Sequence, residues 1–220
     1  MAKMTREEVE ERLEEYAAYK AVKEAHEDIE EASLETSREN FENKEGDSED
    51  SIGGEENEAD EATSEGDNPP SEETKSQDEK THPTAPSLDD CDLSELDLSD
   101  LNFLGVSMQN ANLTKTILNR ANLSSVSLVK ANLRNANLTD TNLSEADLLD
   151  ADLSQANLED ANLEGSILNG ANLSEAQLER ANLRKCKLIE ANLTKTNLDE
   201  VTCGLADFSR ADLTNAHAVG

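Results

Sequence analysis

An apolar residue stands at every fifth position from Leu93 to Ala218, without a slip of register. Of these 26 pentad centres, 21 are Leu; the others are Phe103, Met108, Cys203, Phe208 and Ala218. Two positions before each centre the residue is small or modest, Ala in 15 of 26 pentads. Between the two stands Asn in 12 and Asp in 6, and the two positions after the centre are mostly polar. A helix repeats on 3.6 residues and a strand on 2, so neither alone keeps a register of five. A short extended bridge does fit inside one pentad. Its outer two residues, Ala and Leu, then point to one side and the intervening Asn or Asp to the other. The last two residues must turn the chain. A chain that turns the same way every five residues winds into a coil with a dry Leu and Ala interior, its coils joined by backbone hydrogen bonds about 4.8 Å apart. The Asn and Asp residues tolerate left-handed or turn conformations and bond nearby backbone.

Units such as Ala131-Asn132-Leu133-Arg134-Asn135 and Ala136-Asn137-Leu138-Thr139-Asp140 resemble the pentapeptide-repeat family, whose motif is A(D/N)LXX. The resemblance implies that family's fold, a right-handed quadrilateral β-helix with four pentads per coil. This all-β solenoid would then have about six and a half coils and a length of roughly 31 Å.

Two further segments precede the repeat, so the expected domains are a charged α-helix over 1–43, an acidic disordered linker over 44–86 and the β-helix over 87–220. The first is rich in Glu, Ala, Lys and Arg, good helix formers. Thr5 and Glu8 fit a capping box. Val9, Leu13 and Tyr16 share a helix face, and Val22, Ala25, Ile29 and Ala32 continue it out of phase. So thin a stripe reads as a solvated or weakly pairing helix. It could instead fold back over the first coil, where Leu96, Leu101 and Val106 are larger than the repeat requires and suggest packing against something. The second segment has Ile52 as its one large apolar residue and cannot bury enough apolar area to offset backbone ordering.

Composition narrows the function. The net charge is -31, which argues against direct nucleic-acid binding, since phosphate neutralisation needs Lys and Arg. The N-terminal charges are followed by no apolar run and no stretch approaches a membrane span, so a cytoplasmic protein is expected. Cys91, Cys186 and Cys203 occupy inward pentad positions and are read as packed, inert thiols. His26, His82 and His217 are far apart and read as solvated. No catalytic, cofactor or metal constellation is apparent, and neither an enzyme nor a cofactor is expected.

The outer positions carry the candidate sites. Between Arg134 and Arg180 there is no Lys or Arg, while Asp140, Glu145, Asp147, Asp150, Asp152, Glu159, Asp160 and Glu164 form an acidic belt about two coils deep. A basic cluster of Arg180, Arg184, Lys185 and Lys187 follows. The belt is a candidate docking surface for a basic partner protein. Phe208 and Leu213, in the last coil, are candidates for an end-to-end homodimer contact. The leading reading is a non-enzymatic interaction or scaffold protein. The alternative, implied by the resemblance, is a DNA-mimicking binder of DNA gyrase or topoisomerase IV of the quinolone-resistance type. The Leu-rich centres, the lack of projecting loops and the acidic segment depart from those proteins.

Overall fold

The fold is known from a computed structural model, which describes residues 3–21, 23–24 and 87–219. The expected extension of the helix to 43, the acidic segment 44–86, His26 and His82 lie outside the described residues. Residues up to Lys20 cluster with Ala85–Gly220 in one compact unit.

Parallel β-bridges join residues twenty apart: Asp92 to Asn112, Asp97 to Ile117, Asn102 to Asn122, Ser107 to Ser127, and onward to Asn197 with His217. Twenty residues per coil is four pentads per coil, the right-handed quadrilateral β-helix. We number its sides one to four from those four starting residues. The stack begins one pentad before Leu93, because Leu88 is buried and its N–H donates to Ser107 O at 2.8 Å.

The pentad's composition follows from its backbone hydrogen bonds, which leave little unpaired. The centre N–H donates to the next coil, as Leu93 to Asn112 O at 2.8 Å. The middle residue donates to the coil before, as Asn112 to Cys91 O at 2.9 Å. The fifth residue donates to the next coil, as Glu95 to Thr114 O, and the first closes a turn onto the preceding centre, as Ala111 to Met108 O. Only the fourth N–H then lacks a backbone acceptor. The Asn or Asp two residues earlier supplies one: Asn132 Oδ1 accepts from Arg134 N–H at 3.2 Å, and Asp152 Oδ1 from Ser154 N–H at 3.0 Å. Where the middle residue is Ser107 or Lys187, a carboxyl or amide from the coil before takes over, Asp89 for Gln109 N–H and Asn169 for Ile189 N–H.

The left-handed conformation falls on the fifth residue, one of the two expected to turn the chain, and not on the Asn and Asp positions, which only tolerate it. Every fifth residue from Asp90 to Asn215 has positive φ, near +58° at Lys115, Lys130 and Glu145 and +71° at Gly105. A positive φ at the third residue of a four-residue turn is the type II geometry, which favours Gly or Asn there. Here the coil imposes it on Lys, Arg, Asp and Glu alike.

The interior is a column of stacked centres and small residues, Leu93 through Leu193 and Ala111 through Ala191, nearly all without solvent exposure. The threonine hydroxyls that enter it are satisfied: those of Thr116, Thr141 and Thr196 donate to Leu93 O, Leu118 O and Leu173 O. The cysteines behave differently from the expectation of three buried thiols. Cys186 is buried and donates to Leu163 O at 3.0 Å, and burial pushes its thiol upward in pKa. Cys91 is only half-buried, and Cys203 is exposed because no further coil covers it among the described residues.

The N-terminal helix, α1, spans residues 6–21. Its capping box forms as expected: Thr5 N–H donates to Glu8 Oε2 at 2.7 Å, and Glu8 N–H to Thr5 Oγ1 at 3.2 Å. Among the described residues it is paired with no other helix, and it takes the alternative position, folded back over the first coil. Val9 is fully buried, and Met4, Leu13 and Tyr16 pack against the solenoid core.

Candidate interaction surfaces

Two regions could meet a partner, the outer sides of the rod and its ends. Outward residues stack in columns, since each has a counterpart twenty residues on. A column of Asn on side three forms a ladder: Asn122 donates to Asn102, Asn142 to Asn122, Asn162 to Asn142 and Asn182 to Asn162, with Thr202 closing it. Each amide oxygen of this ladder accepts from the next coil and from the fourth N–H of its own pentad, leaving little acceptor capacity for a ligand.

The eight belt acids are distributed around the circumference. Asp140 is at the corner after side two, Glu145 after side three, Asp147 on side four and Asp150 at the corner after it. Asp152 is on side one, Glu159 and Asp160 follow side two, and Glu164 follows side three. The belt reads as uniformly acidic along the chain, but the coil stacking divides it. Arg180, from the next coil, pairs with Asp160 at 2.8 Å and also with Glu159 and Glu179. Lys185 pairs with Glu164 at 2.7 Å and Arg134 with Asp152 at 3.3 Å.

The titration of these groups follows their partners. The Arg180 hydrogen bond holds Asp160 below the usual carboxylate range, the Lys185 ammonium does the same for Glu164, and Arg180 itself is raised by Asp160 and Glu159. Asp152 is pushed up by partial burial, but hydrogen bonds from Ser154 and the Arg134 guanidinium outweigh this and leave it lowered. By contrast, Asp140, Glu145, Asp147 and Asp150 make no ion pair within 4.0 Å among the described residues. They belong to one coil and run from the end of side two, across sides three and four, to the start of side one. That division was not legible in the linear sequence, where the neutralising cations lie eighteen to twenty-one residues from the acids.

At the far end, Phe208 is half-buried, Leu213 is 43% exposed and Leu205 is 84% exposed. With Leu198, Val201, Cys203, Ala218 and Val219, Phe208 lines an open recess of about 480 Å³. The N–H groups of Cys203, Phe208 and Leu213, which every earlier centre donates to the next coil, have no acceptor among the described residues.

The opposite end is closed, by the N-terminal segment that the sequence allowed to fold back over the first coil. Lys3 forms a parallel bridge with Asp92, and Met4 N–H donates to Asp92 O at 2.9 Å, as a centre residue does. Arg6 donates to Asp97 O at 2.9 Å and to Ser99 O at 3.5 Å, Arg12 to Ser87 O at 2.7 Å, and Tyr16 Oη to Gly105 O at 2.8 Å. A signal existed: Ala2-Lys3-Met4-Thr5-Arg6 fits one pentad, but a single copy far from the array carries no weight by itself.

No described helix is long and apolar enough to cross a membrane. The family profile described as Pentapeptide repeats (8 copies) matches residues 87–124, 116–155, 146–184 and 176–215. No protein of curated function matches the chain. Among solved structures, the chain is similar to a pentapeptide repeat protein of the Arabidopsis thaliana thylakoid lumen, with 32% identity and a TM-score of 0.35. That match covers 46% of this chain and 66% of the other, just under two thirds. It is also similar to HetL, a protein involved in heterocyst differentiation regulation in the cyanobacterium Nostoc sp. strain PCC 7120, with 22% identity, a TM-score of 0.26 and coverage of 57% and 88%. A trypsin-treated variant of QnrB1, a plasmid-mediated fluoroquinolone resistance protein, matches with 20% identity, a TM-score of 0.22 and coverage of 55% and 72%. From Leu88 onward the coil geometry, the pentad hydrogen-bond scheme and the family profile agree, and the chain belongs to the pentapeptide-repeat family.

Proposed function

We propose that the protein is a non-enzymatic interaction or scaffold protein whose docking surface is the coil bearing Asp140, Glu145, Asp147 and Asp150. The observation that carries this reading is the division of the belt. Its other acids are matched by cations one coil away, whereas these four make no ion pair within 4.0 Å among the described residues, Asp140 feeling only the more distant charge of Arg120. A partner with a basic, relatively flat or grooved face fits them, and long-range attraction would speed encounter and weaken with salt. Affinity capture from native cells, with the intact chain as bait, tests this. The expected result is a protein retained at low salt and lost with Asp147→Lys and Asp150→Lys together. Retention unaffected by those changes and by salt would overturn it.

A second reading rests on the same four acids. A rod with carboxylates fixed along its sides could occupy a groove that ordinarily holds duplex DNA, as expected of a gyrase or topoisomerase IV binder. Inhibition of gyrase supercoiling by the purified chain would favour this reading, and absence of both inhibition and gyrase binding would remove it. Independently, the open recess and unpaired N–H groups at Phe208 and Leu213 suit a homodimer contact through the last coil. Light scattering at tens of micromolar is expected to give twice the chain mass; a monomer would overturn that proposal.

A further inference from the structure

The closed end of the solenoid is built from two pieces that are far apart in sequence. Residues 22–86 separate α1 from the first coil, yet Lys3 and Met4 sit where the pentad before Asp92 would be, one coil further out. The first coil lacks a preceding coil to donate to its carbonyls, and the N-terminal segment replaces those donors on successive sides. Met4 N–H serves Asp92 O, and the Arg6 guanidinium serves Asp97 O and Ser99 O. Most of these bonds end on backbone carbonyls, which any coil edge would offer. Specificity must come from the rest. Lys3 pairs with Glu95 and Arg6 with Asp97, while Tyr16 reaches Gly105 O at a corner where an added Cβ would lie 3.1 Å from the phenol oxygen. The apolar part is small: one fully buried side chain, Val9, and three half-buried ones, Met4, Leu13 and Tyr16.

We propose that the first edge of the solenoid is an acceptor for an extended pair followed by a capped amphipathic helix, and that residues 3–20 are an exchangeable plug in it. The ligand that fits this edge is the N-terminal segment of a second copy of the chain. The donor set, the basic residues at Lys3, Arg6 and Arg12 and the apolar residues at Met4, Val9 and Leu13 all reside within the plug itself, so none of the recognition depends on the plug being joined to the coil it covers. Residues 22–86 join the plug to the coil it covers, so the chain's own plug competes intramolecularly with any free one. The intact chain therefore shields its edge from dilute competitors and exchanges plugs only when crowded or when its own plug is released.

The test uses the full chain with a protease site inserted near residue 60, cut after folding. The released N-terminal fragment is expected to co-elute with the solenoid at tens of micromolar. A fluorescent peptide of residues 1–24 is expected to exchange into the cut chain. Exchange should weaken at least tenfold for the Val9→Asp peptide and for the Met4→Pro peptide, which lacks the donor to Asp92 O. The uncut chain should take up the wild-type peptide at least tenfold more weakly than the cut one. Loss of the fragment on cutting, failure of the wild-type peptide to exchange, equal binding of the variant peptides, or equal uptake by cut and uncut chains would each overturn the proposal.

Discussion

At the scale of the residue, the pentad is governed by backbone accounting as much as by apolar burial. The Asn or Asp in the middle is there because the fourth N–H has no backbone acceptor, and the fifth residue takes the left-handed turn. Lys130, exposed with φ near +58°, makes this testable. Lys130→Val should destabilise by about 1–2 kcal/mol, since a β-branched side chain is strained at positive φ, while Lys130→Gly should be close to neutral. Thermal unfolding of the three chains distinguishes the two. The interior responds on another scale: Leu143→Ala, at a fully buried centre, should cost about 2–5 kcal/mol. The sequence made the centres and small residues readable, because burial repeats with the period. It placed the turn on the last two residues without saying which is left-handed, because the coil turn imposes its φ on whatever residue stands fifth and leaves no side-chain signature there.

At the scale of the element, two features depend on groups distant in sequence. The plug was half legible: the capping box and the Val9, Leu13 and Tyr16 face could be read from the chain. The first coil could be named as one possible destination, but not the contacts made there, since the carbonyl acceptors at Asp92, Asp97 and Gly105 carry no side-chain signature. Thr5→Ala, which removes the cap to Glu8 N–H, should lower stability by about 1 kcal/mol in a chemical unfolding titration. The vertical ion pairs form the second feature. Asp100, Asp160, Glu164 and Glu175 all have folded pKa values lowered, first by hydrogen bonds from Arg120, Arg180, Lys185 and Gln155 respectively. A lowered folded pKa means stability that is present above the ordinary carboxylate range and is lost as pH falls through the folded value. The thermal midpoint is therefore expected to hold from pH 7 to about 5 and to fall below about pH 4. A midpoint that rises on acidification below pH 4 would show that relief of mutual carboxylate repulsion outweighs loss of these pairs.

At the scale of the whole molecule, stacking turns a linear list of acids into two classes. Glu159, Asp160 and Glu164 lie against Arg180 and Lys185, and Asp140, Glu145, Asp147 and Asp150 do not. The existence of a belt was visible in the sequence as a cation-free interval. Its division required the twenty-residue coil, which the repeat alone does not reveal, since a period of five is compatible with any number of sides. The most direct test of the interaction reading compares two charge-reversed chains for binding to the captured partner. One carries Lys at 140, 145, 147 and 150, the other Lys at 159, 160 and 164. The account predicts at least a tenfold loss of affinity for the first and a smaller change for the second, with both chains keeping the circular dichroism of the solenoid. Equal losses, or a larger loss for the second chain, would contradict it.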